Sequence, residues 1–231
     1  MNYKEVITEL KSHANRKNAA GMARFGINPK GTLGVSIPLL RQMAKRIGMN
    51  HPLALKLWDS GIHEARLLAG FIADPNLITR REINQWVTGF DSWDICDQVI
   101  SNLLDRTTYA YEMALKWPHD RREYVKRAGF VMMAALAVHD KNAPDERFTQ
   151  FFPLIKRQAT DERNFVKKAV NWALRQIGKR NLALNKLALD VAREISNIDS
   201  ISARWIAKDA IRELAGKTAQ KKVRPATAAS D

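Results

Sequence analysis

The 231-residue sequence has one cysteine, Cys96. No intramolecular disulfide can form, which fits a reducing compartment, and a lone thiol on an apolar helical stripe reads as a small buried hydrophobe. Long hydrophobic runs are missing too. The longest, FVMMAALAV at 130–138, is far short of the ~20 residues that a bilayer crossing needs. MNYKEVITELK at the start is charged from Lys4 and lacks a signal-peptide apolar segment, so a soluble, cytoplasmic protein without a membrane partner is expected. There is no glycine-rich phosphate loop and no serine or cysteine nucleophile motif. His13, His51, His63, His119 and His139 are scattered without ligand spacing to one another or to Cys96, so neither a metal nor a cofactor is expected. Acid is scarce. Thirty-eight Lys and Arg stand against 24 Asp and Glu, a net charge of +14 that points to a polyanionic partner, nucleic acid before others.

What is present is helical periodicity. With 45% hydrophobic residues the chain can bury a substantial core, and strand alternation is nowhere convincing, so the expected class is all-α. Start signals recur: Ser36 before IPLLRQMAKRIG, Thr79 with Glu82 as a capping box, Asp91 with Asp94, Asp120 in WPHDRREYVKR, and Asp161 before ERNFVKKAVNWALRQIGKR. Pro75, Pro118 and Pro144 fall between segments, Pro38 and Pro52 suit first turns, and Pro153 should kink or restart a helix. About a dozen helices of roughly 10–20 residues with tight links predict an α-solenoid of antiparallel pairs. The repeat domain is expected over 1–216. The rest, KTAQKKVRPATAASD, is basic and unpatterned, and reads as a disordered tail over 217–231.

Three helices carry candidate chemistry. In FDSWDICDQV, Asp91 and Asp94 have the spacing of an N-cap and its third helical residue, but Asp97 does not fit that role. It follows Trp93 by one turn and borders the stripe Cys96, Val99, Ile100, Leu103 and Leu104. In ERNFVKKAVNWALRQIGKR, Val166, Ala169, Val170, Ala173, Leu174 and Ile177 form a core face. Phe165, Lys168, Trp172, Arg175 and Lys179 lie nearly opposite it. Either a neighbouring helix covers Trp172 and the cations are solvated, or the face takes nucleic acid, with cations on phosphates and the ring on sugar or base. In RREYVKRAGFVMMAALAV, Arg127 stands where the helix turns apolar on all sides, and an arginine there wants an anion: Asp97 or a phosphate.

GMARFGINPKGTLGVSIPLLRQMAKRI, SWDICDQV, KRAGFVMMAAL and NFVKKAVNWALRQIGKRN, in this order, resemble the AlkD-type DNA alkylation-repair glycosylases of the HEAT-like repeat proteins, over roughly 20–216. That resemblance implies a curved stack of helix pairs whose concave basic face holds duplex DNA. It also implies a monomeric glycosylase of base excision repair that removes cationic N3- and N7-alkylated purines without flipping the base. By resemblance Trp93 and Trp172 are the cleft tryptophans, Asp97 the essential carboxylate, and Arg127 and Arg175 the arginines on the DNA backbone. Asp97 would face a sugar becoming an oxocarbenium ion and orient the attacking water. Two positions depart from the family pattern: Asn164 replaces a ring beside Phe165, and Phe25 stands where a tyrosine is familiar, deleting a phosphate hydrogen bond. Two other readings remain open, a HEAT-like protein that binds distorted or branched DNA without chemistry, and a solenoid adaptor for acidic proteins.

Overall fold

The computed structural model describes residues 1–223, and every regular element among them is a helix. The chain divides into two compact units, Met1–Ala110 and the remainder from Tyr111. The first unit holds α1 (Tyr3–Ser12), α2 (Arg16–Arg24), α3 (Ile37–Ile47), α4 (His51–Trp58), α5 (His63–Ile72), α6 (Arg80–Thr88) and α7 (Trp93–Asn102), then a 3₁₀ turn at Leu104–Arg106. α8 (Ala110–Lys116) begins at the boundary and runs into a second 3₁₀ turn, Trp117–His119. There follow α9 (Glu123–His139), α10 (Glu146–Thr149), α11 (Phe152–Gln158), α12 (Asn164–Gly178), α13 (Leu182–Ser196), α14 (Ile201–Leu214) and α15 (Lys217–Val223). No described helix is long and apolar enough to cross a membrane.

α5 organises the first unit. HEARLLAGFI is buried at nine of its ten positions, and it packs on α3, α4 and α7. Its four-residue link from α4 leaves the chain only one course, a reversal that pairs the two helices antiparallel. The polar residues of its first turns are buried with it, so each must have a partner. Glu64 is fully buried, and its carboxylate accepts the backbone N–H groups of Leu33, Gly34 and Val35. Arg66 donates to Asp91 and to the Gly89 carbonyl while lying 4.5 Å from the Trp58 ring centroid. Trp58 in turn stacks on Trp86 at 4.3 Å. The loop that Glu64 gathers in needs glycine at position 34: φ is +82°, and a Cβ would run into the Asn15 carbonyl.

α9 has the same place in the second unit. It is buried throughout Val125–Ala137 except at Lys126, and it packs chiefly on α12. Gly129 lets Pro118 of the preceding 3₁₀ turn sit directly against its backbone. Three-residue and four-residue links join α12 to α13 and α13 to α14, giving consecutive antiparallel pairs around Val170, Leu174, Ala188, Ile206 and Ala210, all fully buried.

Several local expectations are corrected. Ser92, not Asp91, precedes α7, and Asp94 points inward; α12 starts at Asn164, three residues beyond Asp161; α9 starts at Glu123, with Asp120 accepting from the Arg122 N–H. In each case a cation claims the carboxylate that local capping rules would assign to the helix end: Arg66 on Asp91, Lys126 on Asp161 and Arg122 on Asp120. The capping box Thr79–Glu82 and the first-turn prolines 38 and 52 are as expected, and Pro153 restarts the chain as α11. The helices are more numerous and shorter than expected, α10 having only four residues. The sequence after Gly216 is not all irregular, because Lys217–Val223 form α15 with Ala219 and Val223 buried. The remainder of the expected tail lies outside the described residues.

Candidate nucleic-acid interface

Trp93 is the first residue of α7, and Asp97 lies one turn further along the helix; both are half-buried. Two contacts fix this turn. The Trp93 Nε1–H donates to the carbonyl of Phe25, the residue that closes α2, at 2.9 Å. Beneath, His63 Nε2 donates to Asp94 Oδ2 at 2.8 Å, with His63 only 2% exposed. Burial pushes the Asp94 carboxyl up, but the hydrogen bond and electrostatic attraction from His63 outweigh it and hold Asp94 below the ordinary carboxylate range. The two acids of WDICD therefore differ in setting: Asp94 is buried and hydrogen-bonded to His63, and Asp97 is set at the edge of the core beside an anchored indole.

Phe25 itself is 73% exposed. Its ring stands at an open groove of about 690 Å³, lined also by Lys17, Met22, Val35, Trp93 and Gln98. α2 supplies one wall, carries Arg16, Lys17 and Arg24 without an acid, and buries none of its residues. An apolar surface beside a cationic helix is what an aromatic, phosphate-linked polymer can use.

The second unit presents the α12 face. The predicted core stripe of α12 is fully buried at all six positions, while Phe165 and Trp172 are half-buried and Lys168 is exposed. Phe165 stacks on Tyr124 of α9 at 5.9 Å, and its carbonyl accepts Arg127 Nη1 at 2.6 Å. Arg127 is 6% exposed, a buried cation fixed beside that aromatic pair. Asp161 binds both Lys126 and Arg163; burial raises its carboxyl, but these two cations prevail and bring it to about 2. Arg175 and Lys179 differ from expectation. Both reach Glu213 of α14, Lys179 at 2.6 Å, and Arg175 also lies 3.7 Å from Asp209. Burial raises the Glu213 carboxyl, but Lys179 and Arg175 together lower it below its usual range. Of the three cations placed on this face by the sequence, Lys168 alone is without a carboxylate partner among the described residues.

The polar set His63, Glu64 and Arg66, which positions α7 and the groove wall, was missed by sequence reasoning. HEAR offers the signal: three charged or titratable residues within four positions at the head of an otherwise apolar helix must each find a partner.

Stacked helix pairs under a surplus of cations define a class, the helical-repeat proteins. One solved structure similar to the chain is described as "A new family of proteins related to the HEAT-like repeat DNA glycosylases with affinity for branched DNA structures". The TM-score is 0.77 and the identity 20%, with 96% of each chain covered, a likeness that carries the HEAT-like repeat fold. A designed armadillo repeat protein in complex with the peptide (KR)4 matches at a TM-score of only 0.37 and 16% identity, over 80% of this chain and 78% of that one, and carries no argument. No curated protein sequence matches. The sequence profile of the DNA alkylation repair enzymes matches residues 6–214, and the chain belongs to that family.

Proposed function

We propose that the chain is a monofunctional DNA glycosylase, acting as a monomer without a cofactor, that excises cationic N3- and N7-alkylated purines from duplex DNA without flipping the base, as the first step of base excision repair. The observation that carries this reading is the place of Asp97, half-buried at the core's edge one turn from an indole whose N–H is anchored on the Phe25 carbonyl. Breaking the C1′–N bond sends its electron pair into the purine. A cationic alkylpurine leaves neutral and needs no general acid. The sugar becomes an oxocarbenium ion, which the Asp97 carboxylate stabilises; a water oriented by the same carboxylate adds to C1′ and loses its proton. Trp93 and Trp172 offer ring faces to the deoxyribose, with the preference for positive charge that an indole confers. Phe25, Phe165, Lys168 and Arg127 serve DNA docking, with Arg175 and Lys179 contributing as members of the Glu213 cluster.

The test is release from duplexes carrying one defined lesion each, under single-turnover conditions at saturating protein. N7-methylguanine and N3-methyladenine should be released, and hypoxanthine, 8-oxoguanine and uracil should not. Efficient release of a neutral base would require an acid that this mechanism lacks. A second reading, binding of distorted or branched DNA without excision, draws support from the neutralisation of Arg175 and Lys179 by Glu213, which lowers the charge available to an intact duplex on this face. Tight binding to a four-way junction with no base release from any lesion would favour it.

A further inference from the structure

A second cationic site lies at the far end of α12 from Phe165. A cavity of about 240 Å³ opens where the end of α9, the start of α10, the end of α12, the start of α13 and the end of α15 come together. Its lining includes four cations, Lys141, Lys179, Arg180 and Lys222, and the amides of Gln176 and Asn181. One carboxylate, Asp145, is among them, and Asn181 Nδ2 already donates to both of its oxygens, at 2.8 and 3.1 Å. The volume, about eight times a liquid water's share of roughly 30 Å³, admits a phosphate group with several waters.

Arg180 makes this a built site. Its Nη1 donates to the carbonyls of Ala137 and Asp140, at 2.9 and 2.8 Å, and its Nη2 to that of Ala143, at 3.2 Å. The guanidinium carbon lies 3.9 Å from the Phe148 ring centroid. Satisfying carbonyls of the last turn of α9 and of the loop after it fixes the side chain, yet its carbonyl partners carry no net charge, so its positive charge is retained. Its Nε is buried and without a hydrogen-bond partner among the described residues. Lys179 is shared with Glu213, whereas Lys141 and Lys222 are exposed and have no carboxylate partner among the described residues. Like charges gathered around one concavity repel one another, and an anion relieves that cost.

We infer that this cavity is a phosphate subsite for the nucleic-acid backbone, separate from the Asp97 turn, and that α15 exists in part to bring Lys222 to it. The inference rests on DNA being the ligand, as proposed above, and not on any excision. The chemistry alone would suit a free oligophosphate equally well, so the test has an arm for each source.

Fluorescence anisotropy with an undamaged duplex across a salt series compares the full chain with the double variant Lys141→Gln, Lys222→Gln. A control of equal charge change is Lys56→Gln, Lys186→Gln, two exposed lysines away from the cavity. The cavity variant should lower the slope of log affinity against log salt by about 0.9 for each phosphate that it no longer neutralises, between about one and two in all, while the control stays within about 0.3 of the parent. Inorganic pyrophosphate, titrated by calorimetry, should bind weakly and in competition with the duplex. Equal slopes for the cavity variant and the control would overturn the assignment. So would pyrophosphate binding that disappears in the cavity variant while its DNA slope is unchanged, since the site would then serve a free anion. Base release from a 7-methylguanine duplex at saturating protein is measured for the parent alongside. If the parent releases nothing, the glycosylase reading fails while the slope comparison still decides the subsite.

Discussion

Asp94 and Asp97 stand three residues apart on one helix, Asp94 buried against His63 and Asp97 half-buried at the edge of the core. Removing the partner of Asp94 should be costly because the carboxylate stays buried: His63→Ala is expected to lower stability by about 3 kcal/mol. Denaturant unfolding with a wild-type slope and a lower midpoint would register it. Asp161 gives a pH prediction. Its carboxyl is brought to about 2 in the folded chain against an ordinary 3.8, so the native state favours its ionised form. The stability it contributes is complete above about pH 5 and is lost as the pH falls through 4 toward 2. Asp94, also lowered, acts in the same direction. Asp161→Asn should therefore destabilise the protein near neutrality and flatten the dependence of Tm on pH between about 4 and 2. A mutant with the parent's acid profile would mean that Lys126 and Arg163 do not hold Asp161 in solution.

At the scale of elements, charge on α12 is governed by α14. Because Glu213 binds both Arg175 and Lys179, Glu213→Gln should release cationic charge and raise affinity for any duplex, with a steeper salt dependence. Lys168→Ala should weaken binding and reduce the slope by about one. Salt titrations of the two variants side by side are the check; a Glu213→Gln protein that binds DNA less well would show the cluster to be part of the contact surface as a unit. The core face of α12 was legible in the sequence because a 3.6-residue period specifies one helix's own faces. The Glu213 pairing was not, because period says nothing about which helix lies alongside. The same limit explains Asp91 and Asp161, where a capping role was expected and a distant cation, Arg66 or Lys126, took the carboxylate; Asp120 is instead held by its near neighbour Arg122. The all-helical class and the positions of Trp93, Asp97 and Trp172 on their helices were readable. The role of HEAR, which holds α7 and the loop at Gly34, needed the packed structure. Gly34→Ala should test that loop: a left-handed backbone and a collision with Asn15 predict a loss of at least about 2 kcal/mol in chemical denaturation.

For the whole molecule, the net charge of +14 would bring DNA to the protein whatever its sequence, and affinity alone therefore cannot separate a repair enzyme from a binding protein. What separates them is whether one carboxylate changes a rate without changing binding. The decisive measurement is single-turnover release of 7-methylguanine from a duplex at saturating protein by the parent and by Asp97→Asn, with DNA affinity and thermal unfolding recorded for both. The glycosylase mechanism predicts a loss of release of at least about a hundredfold, affinity within about twofold of the parent, and a variant that is folded at the assay temperature. Release by folded Asp97→Asn at the parent's rate would contradict it.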